Sequence, residues 1–375
     1  VLGSAPFRRH LFENATIDEL TTLVNNTQWV FADVHPQYTI NLAILSNITP
    51  NDDSVVPIRG PFNSLATYKQ GMVRDPIRLP VSIILESSDA ASIPVLPVID
   101  IENAVAAMVQ MRKSPRFDTN EGEQFRIRPV REMDATNDKK HMISEPLPSD
   151  NFRFRPVGEM HATQDKKHMI LENLQDTGAW PVYGGRSFDI WNCDTQEYFA
   201  YISSDVAIAE LERKRKTRNK RSAFSEMSDY WKESADSLPC LNPRIAFRDV
   251  SRSTDTRTVR AALIPSNVVL TNKAPYLLKI RGEEVNEAYL LGVLCSIPFD
   301  WFARRYVEVN LNFFILFPFP IPRPELEDPC RKRLIELSGK LAAQDQRFSE
   351  WAEKVGVECG QIDEVTKRQM ILELD

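Results

Sequence analysis

The sequence predicts a mixed α/β and α+β fold, and three patterns carry that prediction. Between residues 38 and 45, Tyr38, Ile40, Leu42 and Ile44 alternate with Thr39, Asn41, Ala43 and Leu45, which predicts a buried strand. A second stretch, residues 244–263, contains two short strand patterns joined by a polar turn. From residue 325 onward, apolar residues recur at helical spacing, which predicts a helical tail.

Composition limits the classes of protein that this chain can belong to. It has 375 residues and a net charge of -6, with 42% apolar and 26% charged residues, values that are typical of globular domains. Any nucleic-acid site is therefore a local basic patch on an acidic body. The five cysteines lie far apart and form no CxxC pair, so neither a zinc site nor a disulfide framework is supported, and a reducing cytoplasm fits best. We find no apolar run long enough to span a bilayer.

The N-terminal third begins abruptly with VLGSAPFRRHLFE, from which we expect the chain to be a fragment. Residues 4–13 predict a short helix, and residues 17–23 a strand or the end of a helix. Residues 47–97 are rich in Pro, Ser and Asp and are interpreted as a crossover segment. A helix is predicted over 99–112, and a polar linker follows at 118–124.

An internal repeat follows the linker. The segment FRIRPVREMDATNDKKHMI (125–143) recurs as FRFRPVGEMHATQDKKHMI (152–170), with 15 of 19 positions identical. Two copies are too few for a solenoid. His141 and His168 occupy equivalent positions, but no carboxylate or thiolate spacing supports a metal site, and we expect solvated or capping histidines.

A basic run ends the helix predicted over 206–218. Seven of the nine residues from 213 to 221 are cationic, more than a solvated helix face usually carries. Lysine and arginine that neutralise phosphates release counterions and add salt-dependent affinity for DNA. A solvated charge run is the alternative interpretation. The phosphate-binding candidates are Lys214, Lys216, Arg218, Lys220 and Arg221.

The stretch 244–263 is predicted to be a hairpin with an arginine-rich outer face. Ile245 and Phe247 point to one side of the first strand and the arginines to the other, and the second strand is predicted from Arg257 to Leu263. Arginine recognises guanine with two hydrogen bonds, and hydroxyls serve phosphates. Internal Arg–Asp pairing on a solvated hairpin is the alternative. The candidates for DNA contact are Arg248, Arg252, Ser253, Thr254, Asp255 and Arg257, with Asn272 and Lys273 from the next polar tip.

The remaining elements are predicted from apolar spacing and proline positions. Residues 187–201 predict strand, turn and strand, residues 286–295 an apolar helix, and residues 299–306 a helix that begins after Pro298. An apolar strand with a proline-rich exit is predicted at 310–324. The acidic tail beyond it is expected to be a packing or interaction helix that does not contact DNA.

Three segments carry a resemblance to a known family. PRIAFRDVSRSTDTRTVRAALIP, TNKAPYLL and EAYLLGVLCSIPFDWFARRYVEVNLNFFILFPFPIP resemble the target-recognition region of type IIG restriction–modification methylases, which are related to the TaqI-type adenine methyltransferases. The resemblance covers about 152–322 and extends more weakly to the N-terminus, and none of these segments is a catalytic motif. The apolar, proline-rich ending is also similar to that of type I specificity subunits.

The resemblance implies a domain organisation. Residues 1–115 would hold the terminal strands of a Rossmann-like methyltransferase sheet and a crossover helix. Residues 116–324 would form an α+β DNA target-recognition domain, and residues 325–375 a helical segment. The family has one copy of the repeated segment, so the second copy is expected to be the structural one.

The resemblance also implies chemistry for a longer parent protein. Phe31 occupies the position of an aromatic residue that stacks on a flipped-out adenine, whereas a core role shared with Trp29 is the alternative. The implied methyl donor is S-adenosylmethionine, the product N6-methyladenine, and the partner double-stranded DNA.

Essential motifs of a complete methyltransferase are missing from this sequence. It contains neither the glycine-bearing loop for S-adenosylmethionine nor an Asn-Pro-Pro-Tyr motif, so no catalytic residue is assigned and the chain alone is expected to be inactive. The catalytic half would come from the same or another chain. A stand-alone specificity subunit that docks on a separate methylase, and a non-DNA protein-interaction module, remain as alternatives.

Overall fold

The computed structural model describes residues 4–34, 36, 38–97, 100–119, 126–135, 138, 142, 178–216, 224, 227–253 and 255–375. The chain divides into two compact units. Unit 1 comprises residues 1–121, 251–258 and 298–324, and unit 2 comprises residues 122–250, 259–297 and 325–375. The predicted domain boundaries near residues 115 and 324 stay a prediction.

Unit 1 is built on a four-stranded sheet with the order β2-β1-β3-β4. The central strand β1 pairs antiparallel with β2 and parallel with β3, and β4 pairs antiparallel with β3. Ile17, Leu20 and Leu23 of β1 are buried because they supply the apolar core beneath the sheet. The strands are β1 (Thr16–Val24), β2 (Thr39–Ser46), β3 (Val55–Phe62) and β4 (Ile77–Pro80).

Strand β2 forms where the alternation predicts it, but the expectation that it is buried is wrong. It lies at the edge of the sheet, and Leu42 and Ile44 are 50% and 62% exposed. Both faces of β2 are rich in apolar side chains, a composition found in strands that are covered on both faces. An apolar edge strand of this kind is a ready site for pairing with another strand.

The helices of unit 1 pack around this sheet and its connections. Arg8 and Arg9 of α1 fix that helix to the chain after α3, donating to the carbonyl oxygens of Ala90 at 2.8 Å and Asp89 at 3.0 Å. The helices are α1 (Ala5–Asn14), α2 (Leu65–Gly71), α3 (Val81–Ser87), α4 (Ile101–Met111), α8 (Ile297–Ala303, in this unit from Pro298) and α9 (Phe313–Leu316).

Two of these helices bear on sequence predictions. The helix expected over 99–112 is confirmed as α4. The apolar strand expected at 310–324 is wrong, because a short helix, α9, lies within that stretch.

The described residues of unit 2 form two small sheets, with the orders β10-β6-β7 and β5-β11-β8-β9. The hairpin stem predicted around 244–263 is confirmed as β8 and β9, although β9 begins at Ala261 rather than Arg257. Residues 187–199 form no strand, and only the second strand predicted at 187–201 exists, as β7. The strands are β5 (Arg126–Val130), β6 (Ala179–Tyr183), β7 (Ala200–Ser203), β8 (Arg244–Phe247), β9 (Ala261–Ile264), β10 (Val269–Leu270) and β11 (Tyr276–Arg281).

The first arginine of the hairpin lies in the core of unit 2, so the predicted outward direction of its side chain is wrong. The buried side chain of Arg244 forms an ion pair with Glu132 at 2.7 Å, donates to the Val268 carbonyl oxygen at 2.8 Å and lies over the ring of Tyr276. The second oxygen of Glu132 accepts from the Leu270 amide at 2.6 Å. Burial raises the pKa of Glu132, and the positive charge of Arg244 acts against that rise.

The helices of unit 2 include the predicted apolar helix and the helical tail. Helix α7 is buried on nearly all sides and packs on α10, where Ser338 donates to the Ala288 carbonyl oxygen at 2.6 Å. Gly292 makes the close approach possible, because a Cβ there would lie 2.9 Å from Leu334. The helices are α5 (Ser204–Arg215), α6 (Asp229–Glu233), α7 (Glu284–Cys295), α10 (Pro329–Ala342), α11 (Ser349–Val355) and α12 (Glu364–Leu374).

Several predictions concern residues outside this description. The second copy of the repeat, with His168, lies wholly outside the described residues, as does His141 of the first copy, and β5 belongs to the first copy. Among the described residues, no three His, Cys, Asp or Glu side chains are grouped so that they could hold a metal ion. Within the same residues, no helix has the length and apolar character needed to cross a membrane.

Candidate nucleic-acid interface

Four loops of unit 2 converge at one place. The Asp249 amide, just after β8, donates to the Lys273 carbonyl oxygen at 3.1 Å, and the Ala135 amide donates to the Asn272 side-chain oxygen at 3.1 Å. A Cβ on Gly185 would lie 3.2 Å from that same Lys273 oxygen, so the loop after β6 also belongs here. We call the cations on these loops the basic loop cluster: Arg131, Arg186, Arg248, Arg260 and Lys273.

Asp249 organises two cations of the basic loop cluster. Its carboxylate lies 3.4 Å from the Lys273 ammonium and 3.6 Å from the Arg131 guanidinium. The Asp249 side chain is only 4% exposed, whereas Lys273 and Arg131 are 47% and 45% exposed. The buried carboxylate therefore orients two cations that remain accessible to a ligand.

A second carboxylate, Asp189, pairs with two arginines at once. Its Oδ2 atom lies 2.6 Å from the Arg260 guanidinium and 3.4 Å from that of Arg248. The two arginines flank the hairpin stem, where the Arg248 amide donates to the Arg260 carbonyl oxygen at 3.0 Å. Arg248 also donates to the Phe188 carbonyl oxygen at 2.5 Å.

The chemistry of this arrangement is that of an anion-binding surface. Four cations pair with the two carboxylates of Asp189 and Asp249, and the exposed Arg186 lies on the adjoining loop, which leaves an excess of positive charge on a chain whose net charge is -6. Arginine and lysine can serve phosphates, while the Asn272 amide and the guanidinium groups can read base edges. The site therefore combines groups that can contact the phosphates of a nucleic acid with groups that can contact its bases.

The basic run is only partly available for such contacts. Lys214 forms an ion pair with Asp138 at 2.5 Å and donates to the Glu132 carbonyl oxygen at 3.0 Å. Burial opposes ionisation of Asp138, yet the hydrogen bonds from Lys214 and the Asp134 amide hold its pKa below the ordinary value. Its neighbour Arg215 is buried against Trp231.

The rest of the run extends past the end of α5. Lys216 is exposed there, whereas Arg218, Lys220 and Arg221 lie outside the described residues. The ion pair with Asp138 gives Lys214 a structural role that does not involve DNA. Its role in phosphate binding therefore stays a prediction, and we give it no part in the proposed interface.

The predicted base-reading tip belongs to unit 1 and is held by ion pairs and hydrogen bonds within that unit. Arg304 donates to the Ser253 and Thr256 carbonyl oxygens at 2.7 and 3.1 Å, and Arg257 lies 3.5 Å from Asp300. The Asp255 carboxylate accepts from the Arg252 amide at 3.1 Å. Arg252 has an exposed side chain, and Thr254 lies outside the described residues. Arg257 thus follows the alternative interpretation, because it pairs with an aspartate of the protein. The DNA role of the tip stays a prediction.

The loop between β1 and β2 holds Phe31 at the surface of unit 1. Buried Asn25 fixes the loop: its side-chain nitrogen donates to the Phe31 and Val34 carbonyl oxygens, both at 3.0 Å, and its oxygen accepts from the Phe31 amide at 3.3 Å. Trp29 donates to the Val24 carbonyl oxygen at 2.9 Å, while Phe31 is 49% exposed. The two aromatics therefore differ: Trp29 anchors the loop, and Phe31 presents its ring.

Alanine substitution will separate these two aromatic residues. We expect Phe31→Ala to change the free energy of unfolding by less than about 0.5 kcal/mol, because its ring is largely exposed. Trp29→Ala should cost roughly 2 kcal/mol through lost packing and a lost hydrogen bond. Hydrogen exchange of the β1 amides of unit 1 in both variants measures this difference. A large loss of stability in Phe31→Ala would assign its ring to the core and remove it as a stacking candidate.

Sequence reasoning missed several residues of the interface. Arg131, Arg186 and Arg260, with the carboxylates Asp189 and Asp249, were not among the predicted site residues. Two of them could have been found from the sequence. Arg131 directly follows the strand-like segment of the first repeat, and Arg186 follows Gly184-Gly185 after another strand-like segment. Loops after neighbouring strands are common binding positions.

Comparison with known proteins adds distant structural neighbours. No protein-family model matches the chain, and no curated protein matches it. Among solved structures, it is similar to the type IIL restriction–modification enzyme MmeI in complex with DNA, with a TM-score of 0.37 and 10% identity over 96% of this chain and 46% of that one. The type IIG restriction endonuclease BpuSI gives a TM-score of 0.33 and 12% identity, over 99% of this chain and 45% of that one. This chain thus spans less than half the length of either enzyme, and likenesses of this strength show no shared site.

Proposed function

We propose that this chain is the sequence-recognition part of a DNA adenine-N6 methyltransferase from a restriction–modification system. The observation that carries the proposal is the basic loop cluster, where converging loops of unit 2 carry five cations and the Asn272 amide. The resemblance of the segments from 243 to 322 to type IIG target-recognition regions supports the same partner.

The charge distribution favours a specific duplex-binding surface over general adhesion to polyanions. A body with a net charge of -6 repels DNA except where cations are concentrated. Lys273 and Arg131, half exposed and oriented by Asp249, suit phosphate contacts. The Asn272 amide suits base edges in the major groove. Phe31 would stack on the extruded adenine once the catalytic half and its S-adenosylmethionine are present.

A salt series of duplex binding tests this proposal. Fluorescence anisotropy of a labelled random-sequence duplex should show log K falling linearly with log salt, with a slope of about -0.9 for each phosphate contact. Selection from random duplexes should then enrich one sequence. Binding that does not depend on salt would contradict a DNA interface and favour a protein-interaction module instead.

Strand β2 supports the presence of a catalytic half that contacts this chain. Leu42, Ile44 and Leu45 are exposed large apolar side chains of β2, which is an edge strand among the described residues, and the exposed Tyr38 directly precedes it. No charged residue interrupts TINLAILS, although native edge strands usually carry charges that prevent pairing. We propose that a strand of the catalytic half, from the same or another chain, pairs with β2 and covers these side chains.

Charge placed on this edge tests whether it is an unsatisfied pairing surface. Leu42→Lys with Ile44→Lys should reduce self-association of the isolated chain, because lysine on an edge strand opposes pairing. Both side chains are at least half exposed, so stability should change little. Analytical ultracentrifugation compares the variant with Val73→Lys, an exposed apolar residue of the same unit outside the sheet. Self-association of the variant equal to that of the parent would contradict the assignment of β2 as a pairing surface.

A further inference from the structure

One carboxylate oxygen of Asp189 serves both Arg248 and Arg260, at 3.4 and 2.6 Å. We propose that Asp189 occupies, in the free protein, the position that a DNA phosphate takes in the complex, and that it lowers the affinity for DNA of the wrong sequence. This inference rests on the proposed function. Arg248 and Arg260 are called the arginine pair below.

The chemistry of the three groups makes the exchange possible. A carboxylate is planar and a phosphate is tetrahedral. Both are oxyanions that accept paired hydrogen bonds from a guanidinium group. Asp189 is 36% exposed, so solvent and ligands reach it, and an ion pair at such a position is worth only a small amount of free energy. A phosphate can therefore displace it, and the two ion pairs of Asp189 are what binding must give up.

The two carboxylates of the interface differ in a way that assigns them different tasks. Asp249 is buried while its cations are half exposed, so Lys273 and Arg131 can contact a phosphate without leaving it. At Asp189 the exposures are reversed: the carboxylate is 36% exposed, and Arg248 and Arg260 are 19% and 18% exposed. DNA must therefore replace Asp189 in order to use the arginine pair.

Occupation of the arginine pair by Asp189 has a consequence for specificity. A duplex docked loosely through Lys273 and Arg131 gains nothing from the arginine pair, whereas a duplex in the correct register can displace Asp189 and gain both guanidinium contacts. Specificity is the difference between the two affinities, and a group that competes with the wrong partner increases that difference. Asp189 would thus be a specificity-determining residue that does not need to contact a base.

Asp189→Asn is a conservative test of this role. The amide oxygen can still accept from the Ile190 amide, a bond of 2.8 Å, and the backbone pairing of residue 189 with Asn192 is unaffected. For random-sequence duplexes we expect affinity to rise roughly five- to twentyfold at 0.1 M salt, and the salt slope to steepen by about 1 to 2 as two further contacts form.

Two comparisons separate release of the arginine pair from a general charge effect. Asp229→Asn removes the same charge from an exposed helix position of unit 2 and should change affinity less than about twofold. In a background of Arg248→Gln with Arg260→Gln, Asp189→Asn should have no effect on affinity, because the two guanidinium groups that it would release are absent. The four proteins form a double-mutant cycle that measures this coupling. An equal gain from Asp229→Asn, or a gain that persists in that background, would overturn the inference.

The same experiment distinguishes failure of this inference from failure of the proposed function. If the parent chain binds no duplex at low salt, and Asp189→Asn binds none either, the proposed DNA interface fails. If the parent binds with the expected salt dependence but Asp189→Asn gains nothing, Asp189 is only a structural partner of the arginine pair. Hydrogen exchange of the β8 and β9 amides in each variant confirms that unit 2 is folded.

Discussion

Neutralising Arg131, Arg186 and Lys273 together is expected to weaken duplex binding roughly 100- to 1000-fold at 0.1 M salt and to reduce the salt slope by about 3. Each lost phosphate contact removes the counterion release that it contributed. Glutamine is the substitution to use, since its amide can still donate to the buried Asp249 carboxylate that Lys273 and Arg131 now face. Anisotropy across a salt series measures both quantities.

Three cations of the helical tail provide the matched control for this variant. Lys332, Lys354 and Arg368 are exposed in unit 2, and their replacement by glutamine changes the net charge by the same amount. The tail is predicted not to contact DNA, so this control should bind within about threefold of the parent protein. If the tail variant lost as much affinity as the cluster variant, binding would depend on net charge alone and the basic loop cluster would not be the interface.

Local sequence patterns predicted the helices and strands of this protein better than they predicted what those elements pack against. Helix α4, the hairpin stem of β8 and β9, strand β2 and the helical tail follow from apolar spacing, which is a local property of the chain. Phe31 was singled out from its loop, and the structure exposes its ring. What each element packs against depends on residues far away in sequence, and spacing carries no information about them.

The arginines of the hairpin show this limit most clearly. An alternating pattern places Arg244 and Arg248 on the outer face of a strand, yet Arg244 is buried because Glu132, on a distant segment, provides an anion for it. The tip residue Arg257 pairs with Asp300, and Lys214 pairs with Asp138. Whether an arginine is a ligand for DNA or for the protein depends on such partners, which the sequence pattern does not reveal.

The same limit explains why the interface was only partly predicted. Asn272, Lys273 and Arg248 were singled out as polar residues at strand ends, and the structure brings their loops together. Arg131 and Arg186 join them only because β5 and β6 belong to the two sheets that end at this place. A surface formed by four separate loops depends on the order of the strands, and strand order was not predicted.

Breaking the buried pair of Arg244 and Glu132 should have the largest effect on stability. Arg244→Met leaves the Glu132 carboxylate buried without its cation, and we expect unit 2 to lose about 3–5 kcal/mol. Combining it with Glu132→Gln removes the orphaned charge and keeps an acceptor for the Leu270 amide. The double variant should therefore recover more than half of that loss.

Hydrogen exchange is the appropriate measurement, because the chain contains two units and a single unfolding transition is not assured. Protection of the amides of β8 and β9 reports the stability of unit 2, and amides of β1 serve as the control in unit 1. A loss below about 1 kcal/mol in Arg244→Met would mean that water or a rearranged side chain satisfies Glu132. The stability of unit 2 would then not depend on the ion pair of Arg244 with Glu132. A normal cost with recovery in the double variant would show that the arginine first in this hairpin serves folding, and that the arginines after it are the ones left for DNA.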